Sequence, residues 1–145
     1  MGSTGYFETM DNLTFAEQRA WMQSVRPSTV RSEFVFSGSE EKHPLLDLLA
    51  HLDSERTIGA GPGNGYYGRD RPNVVKRSYA YDRDIIRAIE SLGGFFPDPE
   101  STSPWTGLGD VDVIFLDRNG KLLGATVAHE RMIITPEHEE AALAD

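Results

Sequence analysis

Two apolar, β-branched runs flanking Asp117-Arg118-Asn119-Gly120 constrain this chain more than any other feature. Val111 to Leu116 and Leu122 to Ala128 have strand composition, and Asn-Gly supplies the positive φ that a tight hairpin turn demands. Arg131 to Ile134 extends the hairpin to a three-stranded meander. Thr135 as N-cap and Pro136 at the first helical position then predict a short acidic C-terminal helix.

Upstream, Glu33 to Phe36 reads as a strand closed by Ser37-Gly38-Ser39. Arg56 to Ala60 and Val74 to Ala80 read as a second hairpin, whose long tip from Gly61 to Pro72 is too rich in glycine and proline for regular structure. Three helices fall between these strands. Thr14-Phe15-Ala16-Glu17 is a capping box opening a helix to Val25, which Pro27 ends. Pro44 opens a second, with Leu45, Leu48, Leu49 and Leu52 at i, i+3, i+4 and i+7. Asp82 caps a third, with Ile85, Ile86, Ile89 and Leu92 on one stripe and Gly93 at the left-handed C′ position.

Strands in runs with helices between them predict an α+β fold, a single domain over residues 1–145. The expected sheet has five or six mostly antiparallel strands, with helices packed on one face. The Leu45 and Ile85 helices should bury Leu45, Leu48, Leu49, Leu52, Ile85, Ile89 and Leu92 against Val113, Phe115, Leu123 and Val127. Residues 1–12 are expected to be flexible. Residues 93–109 have no periodicity and hold three prolines, which predicts a long surface loop of the functional kind.

Composition removes whole classes of chemistry. The chain has no cysteine, which excludes disulfides, thiolate metal sites and cysteine nucleophiles. A net charge of −9 disfavours nucleic acid and anionic lipid as partners. The run Val113-Ile114-Phe115-Leu116 is far short of the roughly 20 residues of a membrane helix, and a start without a basic and apolar leader points to the cytoplasm. The glycines from Gly59 to Gly65 lack a Gly-Lys-Ser/Thr ending and a Gly-x-Gly-x-x-Gly register, so they read as a hairpin tip rather than a phosphate loop. His43, His51, His129 and His138 form no metal-binding spacing, His43 just before Pro44 and His129 at the turn before the last strand read as solvated positions, and no serine sits in a nucleophile elbow. No metal or cofactor is expected, and the balance leans away from an enzyme.

Charge is distributed unevenly. Residues 54–97 carry five acidic and seven basic side chains, whereas residues 98–145 carry ten and three. In the acidic third Asp98, Glu100, Asp110 and Asp112 flank or follow a loop holding Phe95, Phe96 and Trp105. Aromatics as anchors and carboxylates as steering charges suit a surface that captures a basic protein. Trp105, Asp98, Glu100, Asp110 and Asp112 are therefore the candidate contact residues, with Tyr66 and Tyr67 as a second contact. The competing reading is a solvated acidic face whose loop aromatics turn back into the core. The basic cluster of Arg69, Arg71, Lys76, Arg77, Arg83 and Arg87 would bind a phosphate or pair internally with the acidic third of the chain; pairing is the simpler assumption. A small enzyme or ligand-binding domain, with its pocket near the Gly61 to Pro72 loop, is the alternative reading.

A small, acidic, cysteine-free α+β chain with the late strand Val111-Asp112-Val113-Ile114-Phe115, the Asn119-Gly120 turn and the Leu122 to Ala128 return strand resembles the immunity proteins that neutralise bacterial polymorphic or contact-dependent toxins. The resemblance covers mainly residues 110–135 and the overall charge, and it carries over no functional residue. It implies a protein that binds a basic toxin domain, often a nuclease, and blocks its active site.

Overall fold

The computed structural model describes residues 7–37, 40–60, 71–97, 99–100 and 107–136. In chain order these form β1 (Phe7–Asp11), α1 (Phe15–Val25), β2 (Arg31–Phe36), α2 (Pro44–Leu48), β3 (Glu55–Ala60), β4 (Arg71–Ala80), α3 (Arg83–Ser91), β5 (Val111–Leu116), β6 (Leu122–Val127) and β7 (Met132–Pro136). The class is α+β. The seven strands make one sheet in the order β1-β7-β6-β5-β2-β4-β3, and every neighbouring pair is antiparallel.

The sheet is wider than the expected five or six strands because residues 7–11, taken as flexible, pair with β7 from Phe7↔Pro136 to Asp11↔Met132. Glu8 and Thr9 stay exposed on this edge strand, so no apolar alternation announces it; it is held by a ladder to residues more than 120 positions away. At the other end of that ladder Thr135 and Pro136 belong to β7, which corrects their assignment as a helix start. The expected C-terminal helix lies outside the described residues.

Local signals were sound where both helix ends carried one. Thr14 Oγ1 accepts from the Glu17 amide while Glu17 Oε1 accepts from the Thr14 amide, closing the capping box of α1. Asp82 caps α3 by accepting from the Asp84 amide at 2.8 Å, and Gly93 follows at φ +96°. The second helix is shorter than its leucine repeat predicts. It stops at Leu48, and Leu49 leaves the helical region at φ −107° and ψ 14°. Leu45 and Leu49 are buried and Leu52 is half-buried, but Leu48 is 41% exposed. One turn and a half presents a narrow stripe, and Leu48 falls on its solvent flank.

Alternation along the strands sorts the core onto two faces. Phe34, Phe36, Tyr79, Val111, Val113, Phe115 and Ile133 pack with Met22 of α1, Leu45 of α2 and Ile85 and Ile89 of α3, so the three helices share one face as expected. Val35, Val74, Ile114, Leu116, Ala125, Val127 and Ile134 form a second cluster behind the sheet. Val127, expected under the helices, belongs to that far side. No described helix is long and apolar enough to cross a membrane.

Candidate functional site

The acidic loop begins and ends inside the core. Phe95, Phe96 and Leu108 are 0%, 2% and 1% exposed, which corrects the expectation that residues 93–109 run over the surface throughout. Gly107 N–H donates to the Leu92 carbonyl at 2.7 Å and Leu108 N–H to the Phe95 carbonyl at 3.1 Å. The chain therefore enters and leaves this loop at one neck. Gly107 sits at φ +102°, and a Cβ there would lie 2.8 Å from Phe96 Cα; only glycine lets the two sides of the neck approach so closely.

Gln18 of α1 locks the neck from below. Its side chain is wholly buried, its Oε1 accepts from the Phe95 amide at 2.8 Å, and its Nε2 donates to the Phe96 and Leu13 carbonyls, each at 3.1 Å. Backbone groups that would be orphaned in the interior are thus satisfied by one amide side chain. Trp21, one turn further along α1, packs edge-on against Phe95 and Phe115 with ring centroids 6.1 and 5.3 Å apart.

Next to the neck lies a cleft of about 340 Å³, lined by Phe36, Ser37, His43, Pro44, Gly107, Leu108, Gly109, Asp110 and Val111. His43 caps α2, not a solvated turn: its Nδ1 accepts from the Leu45 amide at 3.1 Å and its Nε2 meets the Leu108 carbonyl at 2.8 Å. A carbonyl can only accept, so the ring proton sits on Nε2 and both nitrogens are committed. The ring also stands edge-on to Phe36, with centroids 5.7 Å apart.

The structure separates the candidate contact residues. Asp110 is exposed and lines the cleft, and Glu100 is exposed. Asp112 is only 2% exposed, with Oδ1 accepting from the Ala128 amide at 2.7 Å; this corrects its placement on a solvent-facing surface. Two residues along a strand share a face, and the Asp112 side is the buried back of the sheet. Asp98, Trp105, Tyr66 and Tyr67 lie outside the described residues, as does the tip from 61 to 70.

Among the described residues, Arg56, Lys76, Arg77 and Arg87 are engaged within the fold. Arg77 and Arg56 reach the two oxygens of Glu40 at 2.6 and 2.5 Å. Burial alone would raise the Glu40 pKa, but the hydrogen bonds from Arg77 and Arg56 outweigh it and hold the carboxyl below its ordinary value. Arg87 pairs with Asp84 at 3.4 Å. His51 also bonds Asp84, at 2.8 Å, and this bond, with the nearby arginines, lowers the carboxyl's pKa. On the back face Lys76 lies 3.5 Å from Glu33 Oε1, Ser78 donates to Glu33 Oε2 at 3.2 Å, and Arg31 donates to Ser78 at 2.8 Å. The partners of Lys76, Arg77 and Arg87 among the described residues are Glu33, Glu40 and Asp84, which corrects the expectation that they pair with the acidic last third. Among the described residues no group of three His, Asp or Glu side chains converges as a metal site would require.

Sequence reasoning missed His43, Phe36 and Leu108 as cleft residues. Gly107-Leu108-Gly109 was the available signal: both glycines have positive φ, +102° and +71°, and at Gly107 the backbone also presses close to Phe96. Comparison of the chain with protein families, curated proteins and solved structures found no match in any of the three.

Proposed function

We propose that this chain is a noncatalytic protein-binding domain that captures a basic partner through the acidic surface around residues 98–110, working in the cytoplasm as an inhibitor of the immunity-protein type. The observation that carries the reading is the clamped neck of the 93–109 loop beside exposed Asp110. Gln18, Phe95 and Leu108 fix the base of the loop, and fixing a backbone before contact lowers the ordering cost of binding at that base. The electrostatics support the same direction, since among the described residues Lys76, Arg77 and Arg87 pair with Glu33, Glu40 and Asp84. On this reading Glu100 and Asp110 steer encounter and Trp105 is the anchor.

The test is capture of partners from the native host by the tagged chain, followed by purification of the captured protein and amide-exchange mapping of the complex. Protection concentrated in residues 95–112, with a partner of basic net charge, is the expected result. An acidic partner, or protection confined to β3 and β4, contradicts the proposal.

A further inference from the structure

The cleft beside Asp110 has a chemistry that narrows what it can hold. At about 340 Å³ it lies at the small end of ligand pockets, which run from about 300 to 1,000 Å³. Phe36, Leu108 and Val111 form its nearly buried floor, and exposed Pro44 and the half-buried His43 ring give it an accessible apolar wall. Both His43 nitrogens are occupied by the Leu45 amide and the Leu108 carbonyl, so the ring offers its carbon surface rather than a proton donor or metal ligand. Among the described residues lining the cleft no side chain is cationic, and the one formal charge is the exposed Asp110 carboxylate.

An anion would meet like charge there, and a purely apolar group would gain nothing from the carboxylate. A long aliphatic stem ending in a cation satisfies both parts, because lysine and arginine lay their methylenes on apolar surface while the charged head stays at the rim. We propose that this cleft receives one arginine or lysine side chain of a partner protein, its stem against Pro44 and the His43 ring and its cation at Asp110. The inference rests on the protein-binding reading above and names the group that reading would place in the cleft.

The test uses three capped tripeptides, Gly-Arg-Gly, Gly-Lys-Gly and Gly-norleucine-Gly, titrated into the full ¹⁵N-labelled chain and into its Asp110→Asn and Asp53→Asn variants. Expected are saturable shifts at the Ser37, Gly107 and Gly109 amides, with the two basic peptides binding about threefold to fivefold more tightly than norleucine, the range of one exposed ion pair. Asp110→Asn should abolish that preference and Asp53→Asn should keep it. Equal binding of norleucine, shifts centred elsewhere, or a preference that survives Asp110→Asn would overturn the proposal. If the tripeptides fail while a captured basic partner still protects residues 95–112, the cleft is refuted and the wider surface stands. If the partner's contacts map elsewhere, the wider reading falls and this proposal falls with it.

Discussion

Gln18 Oε1 accepts the Phe95 amide proton at 2.8 Å, joining the first helix to a loop 77 residues later in the chain. The same side chain returns a hydrogen bond to the Phe96 carbonyl at 3.1 Å. Replacing it with leucine would bury an unsatisfied N–H and C=O, each costing about 1–3 kcal/mol. Gln18→Leu should therefore lower the unfolding free energy by at least about 2 kcal/mol in urea titration and speed amide exchange at Phe95. Unchanged exchange at Phe95 would show that the loop is held by its phenylalanines alone.

Leu45 and Leu48 look equivalent in the leucine repeat but differ in burial, 0% against 41% exposed. Leu45→Ala should cost about 2–5 kcal/mol, as cavity-forming changes do. Leu48→Ala should stay within about 0.5 kcal/mol of the parent. Thermal unfolding of the two variants side by side checks the shortened second helix.

Gly124 leaves room for Trp21. A Cβ at 124 would overlap Trp21 Cζ2 and lie 3.2 Å from the Ile134 carbonyl oxygen. Gly124→Ala should destabilise by about 1–3 kcal/mol through overpacking, and Trp21→Phe should recover part of that loss in the double variant. Strict additivity in the cycle would place the clash elsewhere.

Glu40 gives the fold an acid-sensitive tie. Burial opposes its ionisation, but Arg77 and Arg56 hold the folded pKa below 4.5. A carboxyl with a depressed folded pKa contributes stability that is present above the unfolded value and is lost as pH falls through the folded one. Glu40→Gln should cost about 2 kcal/mol at pH 7, the scale of hydrogen bonds to charged groups. The gap between variant and parent should narrow as pH drops below about 4.5. A gap independent of pH would mean that the arginines do not discriminate the charged form.

Local chemistry was legible and nonlocal pairing was not. The capping boundaries of α1 and α3, and the two hairpins, follow from residues that interact within a few positions, such as Thr14 with Glu17 and Asp82 with Asp84. The Asn119-Gly120 turn also formed, though Gly120 alone takes positive φ, at +74°, while Asp117 Oδ1 holds the Asn119 and Lys121 amides. β1 escaped notice because its partner is β7, and an edge strand with exposed Glu8 and Thr9 has no pattern of its own. Of the site, the acidic stretch was visible as charge, but the inward turn of Asp112 depends on the back face of the sheet being buried. His43 was read as solvated because only the folded chain brings it 2.8 Å from Leu108.

Capture of a basic protein by the residue 98–110 surface is tested by the association rate constant with the captured partner, measured against salt. Exposed charges lose their reach as the Debye length shrinks to about 8 Å near physiological ionic strength. The account predicts that association slows steadily with added salt, that Asp110→Asn lowers the association rate, and that Trp105→Ala weakens binding by at least about 2 kcal/mol through faster dissociation. Salt-independent association with full affinity after Trp105→Ala would contradict it.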